Sequence, residues 1–284
     1  MNDNLFVSFS GGKTSAYMTY KILNSSFKER YKNIVVCFAN TGEEHPNTLK
    51  FINNCDKLLG FSTVWLEAVI NPEMGKGVRS KIVSYETASK LGEPFEDMCA
   101  KYGIPNMSFP HCTKYLKQYP LHHYVRSVLG WEKNYDTAIG IRTDEQRRVT
   151  KNKDIYNVVY PLIDWFPSDK VDVNDFWEDM PFTLDIDEHQ GNCKWCWKKS
   201  LTKHFKNIQE NPEWYEFPKK LESKYSSVKT TKEGKPLALF RGHKTTIMLL
   251  QEFSEYKQSN QLSLNFNEDL NGGCSESCEV YGTD

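Results

Sequence analysis

The sequence lacks the features that mark membrane and secreted proteins. Its apolar runs all fall short of the roughly 18 residues that span a bilayer, and the opening residues Met1-Asn2-Asp3-Asn4 have neither the basic nor the apolar region of a signal peptide. It also lacks an excess of either charge, because 36 basic residues stand against 37 acidic ones, for a formal net charge of −1. Internal repeats and low-complexity tracts are missing too. We therefore expect a soluble, cytoplasmic protein with no membrane partner, whose overall charge selects no class of ligand.

A complete P-loop is also missing, although the run Ser10-Gly11-Gly12-Lys13-Thr14-Ser15 has some of its features. A P-loop needs a glycine five positions before Gly12, where this chain has Val7. The run still joins a strand pattern to a helix pattern. Two glycines expose backbone N–H groups there, the helix N-terminus adds positive potential, and Lys13 and three hydroxyls add donors. The run predicts a phosphate site, with a plain turn as the alternative.

Strand and helix patterns alternate through the first half of the chain. Strands are predicted at 5–9, 34–39, 63–69 and 137–141, and helices at 14–23 and 47–59. This alternation predicts an α/β fold with a doubly wound, mostly parallel sheet over residues 1–165. Prolines then interrupt the chain, with a short helix predicted near 173–179 and another helical stretch from about 212. We expect residues 166–253 to form a smaller, mainly helical part and residues 254–284 a polar, partly mobile tail.

Three polar clusters, at 10–15, 40–45 and 142–148, follow predicted strands. The carboxyl ends of parallel strands form one edge of a sheet, which is where ligands bind in such folds. Arg142 can form bidentate hydrogen bonds with phosphate oxygens. Arg147 and Arg148 either assist it or belong to a solvated run of charge.

Five of the eight cysteines have no packing explanation. Cys37, Cys55 and Cys99 lie in apolar strand or helix patterns, where a thiol packs as a small apolar group. The other five lie among glycine, asparagine, proline and lysine: Cys112, Cys193, Cys196, Cys274 and Cys278. In a cytoplasmic protein such cysteines are thiols, metal ligands or redox groups rather than a disulfide framework.

A strand followed by SGGKTS resembles the PP-loop of the ATP-pyrophosphatase superfamily, whose usual form is SGGxDS and whose members split ATP between the α and β phosphates. Further motifs occur in the order found in the phosphoadenosine-phosphosulfate (PAPS) reductase-like family: FANTGEEHPNT, HCTKYLKQYP, GIRTDEQRR, PLIDW and GNCKWC. The resemblance covers roughly residues 5–200. It implies the adenine nucleotide alpha hydrolase-like form of the α/β fold.

The resemblance also implies a set of nucleotide-binding residues. ATP, or a sulfonucleotide, would bind to Ser10, Gly11, Gly12, Lys13, Thr14, Ser15, Asn40, Thr41, Gly42 and Arg142. The adenosine would lie near Asn40–Gly42 and the phosphates or sulfate near Lys117 and Arg142. Lys13, Lys117 and Arg142 are the catalytic candidates, with Mg²⁺ neutralising the leaving pyrophosphate.

The pair Cys193-Lys194-Trp195-Cys196 is ambiguous by itself, because zinc knuckles, redox dithiols and cluster sites all use CxxC. Relatives that hold a [4Fe–4S] cluster pair a later CxxC with an earlier Cys-Cys, which here is His111-Cys112. The resemblance implies three ligands, Cys112, Cys193 and Cys196. The fourth position is open or filled by His111, Cys274 or Cys278. We predict an iron–sulfur cluster, similar to the sulfur-carrying clusters of certain tRNA thiolases, with zinc as the alternative.

The stretch from Lys194 to Lys206 is basic and aromatic. Such a strip suits a nucleic-acid backbone with stacked bases, or it is a solvated helix face.

These features lead to three functional hypotheses. The first is an ATP-dependent adenylyl- and sulfur-transfer enzyme, which releases pyrophosphate and takes sulfur from a donor. The second is a PAPS or APS reductase, forming sulfite with a cysteine nucleophile and a thioredoxin-like reductant. The third is a nucleotide-gated, nucleic-acid-binding subunit of a modification or defence system.

The tail lacks the Glu-Cys-Gly-x-x-His context of the reductases, so Cys274 and Cys278 are a mobile reductant, cluster ligands or inert thiols. The oligomeric state is open, with a dimer as one option.

Overall fold

A six-stranded sheet forms the centre of the protein in the computed structural model, which describes residues 2–259. The strands are β1 (Asn4–Ser8), β2 (Asn33–Asn40), β3 (Val64–Ile70), β4 (Val78–Val83), β5 (Asp136–Ala138) and β6 (Val158–Val159). Their order across the sheet is β4-β3-β2-β1-β5-β6. Every pairing is parallel except that of β4 with β3. The predicted α/β class with a mostly parallel sheet is confirmed.

Helices cover the sheet. They are α1 (Lys13–Leu23), α2 (Pro46–Leu59), α3 (Glu93–Tyr102), α4 (Tyr119–His123), α5 (Pro161–Asp164), α6 (Lys170–Glu178), α7 (Leu201–Glu210), α8 (Glu216–Tyr225) and α9 (Thr246–Ser259). Two π-helical segments, Thr113–Gln118 and Tyr124–Val128, extend α4 in both directions. Among the described helices, none is long and apolar enough to cross a bilayer.

Strand β1 shows why both faces of the sheet are covered. Its Leu5 and Val7 are fully buried in one core, packed with residues of α1, α2 and α6. Phe6, between them, points into a second core with Leu121 and Val125. Successive side chains of a strand point to opposite faces, so an apolar strand of this kind needs a layer on each side.

The chain changes direction across the sheet at β1. From β1 it moves outward through β2 and β3, and it later returns to β5 on the other side of β1. In open parallel sheets the crevice between such strands is the usual ligand site. A Cβ at Gly140, just after β5, would lie 3.1 Å from the Cα of Ser15. The loops that leave β1 and β5 therefore meet at this crevice.

The cysteine-bearing part shares a core with the first half of the chain. Phe95 and Leu116 pack in one cluster with Trp195, Phe205 and Leu249. The boundary placed near residue 165 stays a prediction. The tail predicted from residue 254 begins inside α9, which runs to Ser259. Cys274 and Cys278 lie outside the described residues.

Candidate nucleotide site and cysteine cleft

The loop between β1 and α1 is pressed onto α2. Gly11 has a φ of +81°, and a Cβ there would lie 2.9 Å from both Ile52 Cδ1 and Thr48 Cγ2. Ser15 Oγ accepts a hydrogen bond from Ser10 N at 3.2 Å and donates one to Gly12 O at 3.0 Å. No side chain within the described residues caps the N-terminus of α1 at Gly12. The first turn of α1 therefore faces the crevice with its N–H groups available to an anion.

A substitution at Gly11 tests this packing. We expect Gly11→Ala to lower the free energy of unfolding by about 2 kcal/mol, because a left-handed backbone costs an alanine about 1–2 kcal/mol and the new methyl group meets α2. Gly130→Ala is the matched control, because Gly130 also has a positive φ but has open space around it. Urea denaturation should show the larger loss at Gly11. Equal losses would mean that the contact with α2 is not tight.

Arg142 reaches this loop from the other side of the crevice. Its Nη1 donates to Thr14 Oγ1 at 3.0 Å. Asp144 accepts from Nε and Nη2, both at 2.9 Å, and Glu145 Oε1 lies 3.5 Å from Nη2. These hydrogen bonds hold the pKa of Asp144 below its ordinary value. Arg148 pairs with Glu145 at 2.7 Å, one residue from the exposed Arg147. The guanidinium of Arg142 is thus fixed beside the phosphate loop.

Lys13 lies at the first position of α1. Its backbone carbonyl accepts a hydrogen bond from Trp177 Nε1 at 3.0 Å, which ties α6 to the start of α1. Within residues 2–259 its ammonium group has neither a hydrogen-bond nor an ion-pair partner. A cation at a helix N-terminus is normally disfavoured, so the position suits an anionic ligand.

The loop after β2 is organised by Asn40. The Asn40 side chain is fully buried, donates to Glu67 Oε1 at 2.7 Å and Ser89 O at 2.9 Å, and accepts from Gly42 N at 3.2 Å. Its amide is therefore used inside the protein, and it positions the loop rather than pointing to a ligand. Gly42 has a φ of +83°, and a Cβ there would lie 2.4 Å from Ser89 Oγ.

Thr41 connects this loop to the cysteines. Its N–H and hydroxyl both donate to the Glu44 carboxylate at 2.9 Å, and its Oγ1 lies 3.5 Å from Cys193 Sγ. Lys117 Nζ lies 3.8 Å from Glu44 Oε1. Thr41 and Lys117 also line a small cleft. The complete lining is Thr41, Phe95, Cys112, Thr113, Lys117, Cys193, Trp195, Cys196 and Trp197.

The cleft contains all three cysteines that the resemblance brought together, although about 80 residues separate Cys112 from Cys193 in the chain. Elsewhere in residues 2–259, Asp187, His189 and Glu210 place one ligand atom each within 4.8 Å of one another. His111 is not among the lining residues. Its Nε2 lies 3.0 Å from Gly103 O, and burial lowers its pKa to about 4.

A short antiparallel contact joins the two sites. Glu44 and Cys193 form an isolated β-bridge, and Lys194 N donates to Glu43 O at 2.9 Å. Cys196 N donates to Cys193 O at 3.0 Å and closes the turn of the CxxC. The loop after β2 and the cysteine turn are therefore hydrogen-bonded to each other. No sequence motif indicated this pairing.

Glu43 is a further residue of this junction that the sequence pattern did not single out. It is 2% exposed, its Oε2 accepts from Trp195 Nε1 at 2.5 Å, and Lys194 Nζ lies 3.8 Å away. Burial raises the pKa of Glu43 to about 7, against an ordinary value of 4.5. The folded protein thus holds a proton on Glu43 at a pH where the unfolded chain has lost it.

This shift has a consequence for stability. As the pH rises from 4.5 to about 7, the folded state binds more protons than the unfolded state, so the contribution of Glu43 to stability is lost over that window. We expect Glu43→Gln to remove this loss, by up to about 1.4 kcal/mol per pH unit, while Gln still accepts from Trp195. Urea denaturation of both proteins across this pH range is the measurement. If the free energies of unfolding of the wild type and Glu43→Gln differ by the same amount at every pH, the raised pKa of Glu43 is contradicted.

The prediction that the stretch from Lys194 to Lys206 forms an exposed surface for stacking bases is wrong. Trp195 and Trp197 are 0% and 3% exposed, so neither ring can stack on a base. Lys199 and Lys203 are also buried, and Lys199 Nζ donates to the carbonyls of His189 and Gly191. The pattern of basic and aromatic residues reflects the packing around the cysteine turn.

The doubly wound sheet and the loop at its switch point define a nucleotide-binding α/β protein. The family model for the phosphoadenosine phosphosulfate reductase domain matches residues 4–178. The chain belongs to this family, the PAPS reductase-like branch of the PP-loop superfamily, as the motifs predicted. Cys193 and Cys196 lie beyond the matched residues.

The chain is also similar to a phage protein. It is 32% identical over 288 aligned residues to the "uncharacterized nin region protein ORF290" of Escherichia phage lambda. The alignment covers 97% of this chain and 94% of the phage protein. The two proteins are thus alike over nearly their whole lengths, including the cysteine-bearing part.

Proposed function

We propose that the protein is an ATP-dependent adenylyl- and sulfur-transfer enzyme. It activates an oxygen of an acceptor with AMP, releases pyrophosphate and replaces the oxygen with sulfur. The observation that carries this proposal is the contact between Thr41 Oγ1 and Cys193 Sγ, at 3.5 Å. It joins the loop assigned to the adenosine to the cleft that holds three cysteines.

The phosphate side of the site supports a triphosphate ligand. The uncapped N-terminus of α1, which begins at Lys13, and the guanidinium of Arg142 lie at one crevice. Several fixed donors suit the charge that develops on the α phosphate and the leaving pyrophosphate. Thr14 stands where the usual SGGxDS form has aspartate, so the loop offers Mg²⁺ a hydroxyl rather than a carboxylate. Mg²⁺ would arrive with the phosphates, as is usual for this ion.

The cysteine side of the site fits an iron–sulfur cluster better than zinc. A structural zinc ion takes four protein ligands. Among the described residues, the lining of the cleft supplies three thiols and no histidine or carboxylate, one ligand short of such a site. A cluster held by three cysteines, with one iron left open, resembles the sulfur-carrying clusters of certain tRNA thiolases. Bound there, the cluster would supply an iron able to carry sulfide.

The reaction takes place in two displacements. In the first, the acceptor oxygen attacks the α phosphorus, the bond between that phosphorus and the bridging oxygen breaks, and pyrophosphate leaves. In the second, sulfur at the level of hydrosulfide attacks the activated carbon and AMP leaves, so no net oxidation or reduction occurs. Lys13 and Arg142 hold the phosphates in line, and Lys117 adds positive charge where the nucleotide loop meets the cleft.

Equilibrium binding tests the proposal. Isothermal titration of the full chain with ATP, AMP, APS and PAPS should give the highest affinity for ATP, because only ATP places a triphosphate across the loop. A higher affinity for PAPS or APS than for ATP would contradict the proposal and favour sulfonucleotide reduction.

A further inference from the structure

Two hydrogen-bond donors in the cysteine cleft lack an acceptor within the described part of the chain. Trp197 is 3% exposed, and its indole Nε1 is buried without a partner. The hydroxyl of Thr113 is buried and unpartnered in the same way. Both side chains line the cleft that holds the three cysteines. Buried donors are rarely left unsatisfied, so this pair indicates an acceptor that binds in the cleft.

The other polar side chains of the cleft already have partners. The indole of Trp195 donates to Glu43, and the hydroxyl of Thr41 donates to Glu44. Thr113 follows Cys112 and Trp197 follows Cys196, so each unsatisfied donor belongs to a residue adjacent in sequence to one of the cysteines. A group held by these cysteines would therefore bind in the cleft that both donors line.

We infer that Trp197 and Thr113 donate hydrogen bonds to sulfur atoms of an iron–sulfur cluster bound by Cys112, Cys193 and Cys196, and so raise its reduction potential. The inference rests on the cluster of the proposed function. A reduced cluster carries one more negative charge than an oxidised one, so donors to its sulfurs stabilise the reduced form more. Neither side chain is a ligand; both are positioning residues that act through the cluster.

The test is a reductive titration of the anaerobically purified full chain with dithionite, followed by visible absorption and electron paramagnetic resonance. We expect Trp197→Phe and Thr113→Val each to shift the midpoint potential to more negative values, and the double variant to shift it further. Thr113→Ser keeps the hydroxyl and should leave the potential unchanged. Trp65→Phe is the control for the loss of an indole N–H elsewhere, since Trp65 donates to Asp56.

The outcomes separate the inference from the proposed function. If the wild type binds a cluster and the Trp197→Phe and Thr113→Val variants have the same midpoint potential as the wild type, the inference is overturned and the proposed function stands. Wild type that takes up no iron after reconstitution with iron and sulfide would overturn both. A second measurement uses the cluster-free protein, in which Thr113→Val should not lower stability because the hydroxyl has no partner there. A clear loss of stability would reveal a protein acceptor and overturn the inference.

Discussion

Replacing Cys193 or Cys196 with serine should abolish the brown colour expected of the anaerobically purified protein, together with its iron content. Both thiols line the cleft with Cys112, and a neutral serine hydroxyl does not replace a thiolate as a ligand to iron. Because the described residues supply three such cysteines there, we expect the loss of one to leave too few ligands to hold a cluster. Cys112→Ser should have the same effect. Broad visible absorption and iron analysis are the measurements.

Two buried cysteines provide matched controls for this experiment. Cys55 is fully buried in a separate core, and Cys99, although it packs in the same core as the three cysteines, is not among the residues that line the cleft. Cys55→Ser and Cys99→Ser should therefore keep the colour. A colourless wild-type protein with one zinc ion per chain would contradict the cluster, and the sulfur-transfer half of the proposal would lose its main support.

The second large effect is expected at the phosphate loop. Lys13→Ala should weaken ATP binding by about 1.5–3 kcal/mol, the contribution of a hydrogen bond to a charged group, which corresponds to a loss of roughly 10- to 150-fold in affinity. The ammonium group of Lys13 has no partner within the described residues that would compete with a phosphate. AMP should lose less affinity than ATP, because it carries a single phosphate.

An exposed lysine on the neighbouring helix serves as the control. Lys50 lies on α2, and Lys50→Ala removes the same charge from the protein without touching the loop. Isothermal titration should leave its affinity for ATP unchanged. If Lys13→Ala also binds ATP as the wild type does, the run from Ser10 to Ser15 is only a turn.

The features that sequence predicted well are those set by local chemistry. Apolar runs bounded by glycine or proline placed β1, β2, β3, α1 and α2 within one or two residues of their observed bounds. Pro46 at the start of α2 and Gly60 at its end, with a φ of +68°, are local signals of this kind. The position of Arg142 beside the phosphate loop followed from a general property of parallel sheets, since both lie at carboxyl ends of strands.

The features that sequence missed depend on contacts between distant segments. Edge strand β4 forms only because it pairs antiparallel with β3. Buried and exposed residues do not alternate regularly along it, so its sequence has no strand pattern. The predicted strand 137–141 ends at Ala138, because the chain leaves the sheet where Gly140 packs against Ser15. Trp195 looked like a base-stacking residue, yet its environment is set by Phe95 and Phe217. Composition could not show that the basic residues near it serve as internal donors.

The central claim is that the protein uses ATP rather than a sulfonucleotide, and product analysis tests it most directly. The anaerobic full chain is incubated with ATP labelled at the α phosphate, and in parallel with PAPS and reduced thioredoxin. We predict that ATP gives labelled AMP and unlabelled pyrophosphate, slowly because water is the acceptor. PAPS should give little sulfite. Lys13→Ala should suppress the release of AMP. Robust sulfite formation from PAPS, with no AMP formed from ATP, would contradict the account and identify the protein as a reductase.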